Sequence, residues 1–317
     1  MNRPLSLNAD LARALFAADM IEGLSASPKE TPPKWFYDGA GSALFGEITR
    51  LPEYYPTRTE TALLAQVGKD IAQAVGPGRA VVEYGAGSAD KATRLLAALD
   101  RPKSYVCVEI DPDAARQTAD EVSQCFPDLP TKGVAGDFTD LDENTPAGPA
   151  GARLGFFPGS TIGNFDPTDA AVLLSDMRDH LGRGSRLLLG VDLVKDRDVL
   201  VAAYDDAAGV TAAFNKNLLV RANRELGADF DLDAFAHEAR WNPAASRIEM
   251  HLRAVRPTVA HIDGHAFSFA EGETIHTESS YKYTPDGVRE LAEAGRWQLE
   301  TIWTDPKGWF ALALLEA

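Results

Sequence analysis

Val81–Leu96 reads VVEYGAGSADKATRLL and changes character twice. An apolar, β-branched run stops at Glu83 and Tyr84, Gly85 and Gly87 follow one residue apart, and an amphipathic segment begins. Such a run reads as a buried strand, and the segment after it as a helix. The two glycines let the chain turn sharply between them and come close to a ligand. A dinucleotide site would need a third glycine for close helix packing, and Asp90 stands there instead. A pyrophosphate would also meet the negative side chains of Glu83 and Asp90. A cationic ligand with hydroxyl groups suits the loop better.

The flanks place the loop in a larger pattern. A predicted helix from Thr61 to Val75 precedes it. After it come a helix from Ala89 to about Leu99, the strand SYVCVEID, a helix from Asp113 to Cys125, the short strand KGVAGDF, RLGFFPGSTIGN, a helix from Pro167 to Leu181, and SRLLLGVDLV. Apolar strands alternating with amphipathic helices imply a parallel sheet covered on both faces. The alternation stops at Lys195 and resumes with the helix TPDGVRELAEAG, N-capped by Thr284, followed by QLETIWTD and WFALALLEA joined by the turn DPKG. A parallel sheet ending in an antiparallel pair resembles the class I, Rossmann-like seven-stranded sheet of S-adenosylmethionine methyltransferases. We therefore expect residues 58–195 and 283–317 to form the cofactor-binding domain. Residues 1–57 and 196–282 should form a second, α+β, substrate-binding domain. In the latter, Leu11, Ala12, Leu15, Phe16 and Ile21 are spaced to make one helix face. Residues 196–230 are mostly helical, and RIEMHLRAVRP, TVAHIDGHAFSF and ETIHTESSYKY alternate like antiparallel strands.

Composition limits the partners. The 317 residues carry 47 acids against 31 bases, a net charge of −16, with no basic run. A field of that sign repels phosphate backbones and anionic lipid, which argues against nucleic-acid and membrane-surface partners. No stretch approaches the ~18 apolar residues of a membrane span, and the N-terminus has no apolar core of signal length. The two cysteines, Cys107 and Cys125, form no CxxC pair, so neither a metal site nor a disulfide framework is expected. Reduced thiols point to the cytoplasm. A monomer without metal is the expectation.

Two further acids sit where open α/β sheets bind ligands, at strand carboxyl ends. Glu109 and Asp111 follow the second strand, Glu109 coming 24 residues after Gly85, a spacing that suits a grip on ribose hydroxyls; Asp111 reads as a helix cap. Asp137 and Phe138, in GDF, suit an adenine amino group and ring. Lys91 could meet a cofactor carboxylate or lie solvated on the surface.

The segments PPKWFYDGAGSALFGEITRLPEYYPTRTE, GSTIGNF, LLLGVDLVKD, AYDDAAGVTAAFNKNLL, RELGADFDLDAF and TESSYKY together resemble the L-histidine Nα-methyltransferases of ergothioneine biosynthesis, across nearly the whole chain. The resemblance implies trimethylation of the α-amino group of free histidine to hercynine, with S-adenosylmethionine as donor. It implies cofactor contacts at Gly85, Gly87, Lys91, Glu109, Asp137 and Phe138, where Glu109 replaces an aspartate of the family. Tyr54 would line the histidine pocket, Asn164 and Tyr204 would hold the α-carboxylate, and Glu278 with Ser280 the imidazole. Tyr37, Thr161, Phe214 and Met250 match other pocket positions. Tyr37 and Asn164 stand nearest the chemistry, Tyr37 as a proton relay to water. An acid and a hydroxyl on alternate residues of one strand can face the two ring nitrogens together. Another amine acceptor, an NAD-dependent oxidoreductase and a non-catalytic relative are the alternatives. The missing third glycine and the terminal hairpin weigh against the oxidoreductase.

Overall fold

The computed structural model describes residues 9–142, 144–149 and 151–317; the reading of residues 1–8 as free of a signal core lies outside the described residues. In chain order the elements are α1 (Ala9–Ser25), β1 (Lys29–Glu30), α2 (Gly39–Ile48), α3 (Tyr55–Val75), β2 (Ala80–Tyr84), α4 (Ala89–Ala98), β3 (Ser104–Glu109), α5 (Pro112–Cys125), β4 (Thr131–Ala135), β5 (Arg153–Phe157), α6 (Pro167–Leu181) and β6 (Arg186–Asp192). They continue with α7 (Arg197–Tyr204), α8 (Val210–Leu226), β7 (Phe235–Asn242), β8 (Arg247–Ala254), β9 (Thr258–Ile262), β10 (His265–Phe269), β11 (Thr274–Tyr281), α9 (Pro285–Ala294), β12 (Gln298–Thr304) and β13 (Phe310–Glu316). Contacts divide the chain into two compact units. One is Pro56–Lys195 with Tyr281–Ala317, and the other is the chain up to Tyr55 with Asp196–Ser280.

The first unit is built on a seven-stranded sheet of order β12-β13-β6-β5-β2-β3-β4. Strands β2 to β6 run parallel, and β13 lies antiparallel to both β6 and β12. This is the sheet with an antiparallel terminal hairpin that the sequence implies. Successive side chains leave a strand on opposite faces, and β13 divides its residues accordingly. Phe310, Leu312 and Leu314 join Val81, Phe156 and Leu188 in a core beneath α3, α4 and α5. Ala311, Ala313 and Leu315 join Val82, Tyr84 and Leu189 beneath α6 and α9. Helix starts are written locally. Asp111 caps α5 and Asp166 caps α6, each followed by proline at the first helical position, where the missing N–H costs nothing. Thr284 caps α9 in the same way, accepting from the Gly287 amide at 3.0 Å.

The second unit holds a four-stranded sheet of order β1-β11-β8-β7 and a separate β9–β10 hairpin. Two of its strands are not anticipated. FAHEARWN, which forms β7, has no clean alternation because nearly all its residues are half-buried. β1 is two residues long and exists only by parallel pairing with Ile275 and His276 of β11. TVAHIDGHAFSF is two strands folded on each other, turning at Asp263–Gly264 with both residues at positive φ. Asn215 of α8, fully buried, ties helix to sheet: its Nδ2 reaches His251 O at 3.1 Å and the His237 ring at 2.8 Å, and its Oδ1 accepts from the Thr277 hydroxyl at 2.8 Å. The predicted face of α1 is corrected. Phe16 is buried as expected, but Leu11 and Leu15 are 51% and 43% exposed, and Ala17, Met20 and Leu24 are buried in their place. The Phe16 ring stacks against Trp35 at 4.7 Å, which rotates the buried stripe by about a third of a turn from the sequence pattern.

Candidate active site

The carboxyl ends of β2, β3, β4 and β5 carry the loops that chemistry requires. Gly85 has φ +73°, a conformation glycine adopts without strain, and its amide donates to Val108 O at 2.9 Å. A Cβ added to Gly85 would sit 3.4 Å from the Phe138 ring, so that ring rests directly against the loop. A Cβ at Gly87 would meet nothing within 4 Å, so the loop faces open space that a ligand can fill. The two acids after β3 separate cleanly. Asp111 is used as the α5 cap, accepting from the Asp113 amide at 2.9 Å. Glu109 is half-buried and accepts from the Asp111 amide at 3.2 Å, and burial pushes its carboxyl above the usual range. Asp137 accepts from the amide and hydroxyl of Thr139 at 2.9 and 2.6 Å, which fixes it at the end of β4. Phe138 packs on Phe157 and Phe165 with centroids 5.4 and 6.3 Å apart. Phe165 follows Asn164 directly, at the end of a short helical turn, Thr161–Asn164, entered through Ser160 at φ +58°. The Ser160 hydroxyl accepts from the Asp192 amide at 2.9 Å, and the Thr161 hydroxyl donates to Pro158 O at 3.0 Å. Gly85, Asp137, Phe138 and the turn carrying Thr161 and Asn164 thus share one end of the sheet. Lys91 is neither surface-solvated nor solitary: its ammonium bonds Glu60 at 2.5 Å.

Beneath the loop, Glu83 points into the core under α3, α4 and α5 and is almost completely buried. The Tyr105 hydroxyl donates to it. Burial still raises its carboxyl to about 7, and the Tyr105 bond only partly opposes that.

In the other unit, aromatic rings form a connected wall. Tyr37 meets Phe45 and Phe214 edge-on at 5.8 Å, Phe45 meets Tyr54 at 6.2 Å, and Tyr54 meets Tyr204 at 6.3 Å. The Tyr204 hydroxyl is 2.7 Å from Ser280 Oγ, so these two side chains form one hydrogen-bonded pair. Along β11 the alternation of burial changes phase between Thr277 and Glu278. Glu278 and Ser280 are buried together with Ile275 and Thr277, whereas His276 and Ser279 are partly exposed. The Ser279 hydroxyl lies 3.1 Å from the His276 ring. Met250 is buried on β8, and its carbonyl accepts from Thr277 at 3.0 Å. Local pieces are positioned by their own sequence: Asp206 holds the start of α8 by accepting from Val210 and Thr211 amides at 2.9 and 2.7 Å. Asp38 caps α2 and binds Asn217 and Arg224 of α8, which sets Tyr37 beside Phe214.

Phe45, Glu60 and Asn215 are the residues that motif reading passes over. Phe45 and Glu60 lie inside quoted family segments, yet a phenylalanine and a glutamate in helices carry no chemical signal of their own. Only ring-to-ring contact and complete burial mark them.

The chain is similar to known proteins along nearly its whole length. Residues 16–317 match a family model described as a histidine-specific, S-adenosylmethionine-dependent methyltransferase. A histidine N-alpha-methyltransferase of Mycolicibacterium smegmatis is 47% identical over 97% of both chains. One of Mycobacterium tuberculosis is 44% identical, again over 97% of both chains. Ergothioneine biosynthesis protein 1 of Neurospora crassa is 30% identical over 63% of this chain and 23% of its own length. With the match running through sheet, glycine loop and aromatic wall alike, the chain belongs to the S-adenosylmethionine-dependent histidine-specific methyltransferase family.

Proposed function

We propose that this protein transfers three methyl groups from S-adenosylmethionine to the α-amino group of free L-histidine, giving hercynine for ergothioneine biosynthesis. The observation that carries the reading is the buried Tyr204–Ser280 pair on the aromatic wall, with Glu278 buried two residues before Ser280. A carboxylate and a hydroxyl held there match the two nitrogens of an imidazole. A carboxylate there favours a ring N–H or an imidazolium, which selects histidine over other amino acids. Asn164 and Tyr204 are the groups assigned to the substrate carboxylate, with Thr161, Phe214 and Met250 shaping the pocket.

The cofactor side fits the loop described above. The open space over Gly87 accepts its methionine part, Glu109 accepts hydrogen bonds from ribose hydroxyls, Asp137 accepts from the adenine amino group, and Phe138 packs on the ring. Lys91 bonds the cofactor carboxylate. When bound, the cofactor supplies a sulfonium-linked methyl group, which an amine lone pair takes by in-line displacement. The protein's residues supply position: the amine held by its own carboxylate and ring has little freedom left to lose, which is the source of most of the acceleration. The substrate ammonium must shed a proton before each transfer, and Tyr37 is the group assigned to pass it to water. The methylated amine grows as an apolar cation, which the rings of Tyr37, Tyr54 and Phe45 accommodate through cation–π attraction.

Incubation with S-adenosylmethionine and each amino acid in turn, followed by mass, tests the reading. Histidine gains up to three methyl groups and other amino acids gain none. Glu278→Ala raises the histidine KM at least tenfold and leaves cofactor affinity within twofold, as expected when a buried hydrogen-bonded charge is lost from one ligand alone. Methylation of a different amine, or equal loss of both ligands, overturns it.

A further inference from the structure

We propose that Glu60 is a positioning residue of methyl transfer, whose buried carboxylate fixes the Lys91 ammonium and offsets its charge beside a cationic cofactor. The proposal rests on the reading of Lys91 as the contact for the cofactor carboxylate. Glu60 lies near the start of α3 and has no solvent-exposed surface. An ionised group so placed is costly unless it is paired and hydrogen-bonded. It has both. Its two oxygens accept from the Gly159 amide at 3.0 and 2.9 Å, and Oε2 accepts from Lys91 at 2.5 Å.

The surroundings are cut to admit this carboxylate. Gly190 lies on β6, and a Cβ there would come within 2.2 Å of Glu60 Oε1. Gly159 has φ +81°, and a Cβ on it would lie 3.5 Å from the Lys91 ammonium. Gly190 therefore makes room for the carboxylate, and the positive φ of Gly159 shapes the backbone that binds it, between the end of β5 and the first turn of α4. One arm of Glu60 holds the backbone that leads into Ser160, Thr161 and Asn164. The other holds the lysine in the turn after Gly85 and Gly87.

The charge arithmetic makes the role specific. S-adenosylmethionine carries one carboxylate, one ammonium and one sulfonium, whereas S-adenosylhomocysteine lacks the sulfonium charge. A lysine ammonium has three donors; Glu60 takes one, and another can bond the ligand carboxylate. A lone lysine charge would attract that carboxylate in both ligands but repel the sulfonium in one. Paired with Glu60, Lys91 keeps its donor geometry while its net field is largely cancelled. Glu60 thereby favours the charged donor over the spent product.

Isothermal titration of both ligands against wild type, Glu60→Gln, Lys91→Met and the double variant tests this. Glu60→Gln keeps the acceptor for Gly159 and removes the charge. It weakens S-adenosylmethionine about fivefold more than S-adenosylhomocysteine, the size of one partly screened charge interaction. Lys91→Met weakens both ligands through the lost carboxylate contact, and S-adenosylhomocysteine the more, because the unpaired Glu60 carboxylate still attracts the sulfonium of S-adenosylmethionine. In the double variant neither charge is left behind, so the wild-type preference between the ligands returns while both bind less tightly. That variant carries the test if either single one does not fold. Should Lys91→Met leave both affinities intact, the reading of Lys91 fails and the proposal with it. Should Lys91→Met weaken both while Glu60→Gln leaves the preference unchanged, or the double variant show a shifted preference, Lys91 keeps its role and the role of Glu60 is refuted.

Discussion

Replacing Glu83 with glutamine removes a proton-binding site from the core while leaving its volume and its acceptor for Tyr105 in place. The carboxyl has an ordinary value of 4.5 and is raised to about 7 in the folded protein, chiefly by burial. The folded state therefore holds a proton that the unfolded chain releases. Stability from this group is present below pH 4.5 and is lost as pH rises from 4.5 through 7. Between pH 5 and pH 8 the wild-type protein should lose about 2–3 kcal/mol that the glutamine variant keeps, from the linkage of the two pKa values. For a chain of this size that corresponds to about 4 °C in melting temperature. The measurement is the difference in stability between variant and wild type, by melting or denaturant, at half-unit steps across that range. Taking the difference cancels every other titrating group and any pH-independent effect of the substitution. The variant should gain on wild type steadily up to about pH 8 and then level off. A flat difference curve would mean that Glu83 is ionised throughout and solvated in a way its burial contradicts, and the argument would be wrong.

Two further outcomes follow from buried polar groups. Asp192, at the end of β6, lies between Lys195 and Lys282, with oxygens 2.5 and 2.9 Å from their ammonium groups and all three side chains buried. Asp192→Asn should cost about 3–5 kcal/mol, since it removes the negative member of a buried charge group; a loss below about 1 kcal/mol in a denaturant melt contradicts this. Asn215→Ala deletes the bonds to the His251 carbonyl, the His237 ring and Thr277. It should destabilise by about 2–4 kcal/mol and raise the histidine KM while sparing cofactor affinity, because Thr277 adjoins Glu278. Unchanged histidine binding would separate this bond network from the pocket.

The sheet was readable because its signals are local. The apolar runs of β2, β3, β5 and β6 are continuous since both faces are covered, and Asp-Pro or Thr-Pro at the starts of α5, α6 and α9 announces each helix by its own cap chemistry. The glycine loop was readable for the same reason: its turn and its neighbours lie within a few residues. The second unit gave less away. The sequence of β7 carries no period, because the burial that defines it comes from α7, α8 and β8 rather than from alternation along the strand. The buried stripe of α1 was misplaced because Leu11 and Leu15 look like core residues to a pattern, whereas the partner Trp35 decides which side turns inward.

The same division applies to the site. Amino-acid order alone determined the fold class, the glycine loop, and the family, because these are written in short motifs and their spacing. Tertiary structure decided which acid caps a helix and which stays available, that Tyr204 and Ser280 form one pair although 76 residues separate them, and that Lys91 is committed to Glu60. Burial and pairing are properties of what the chain brings together over long distances, and no residue type states them in advance.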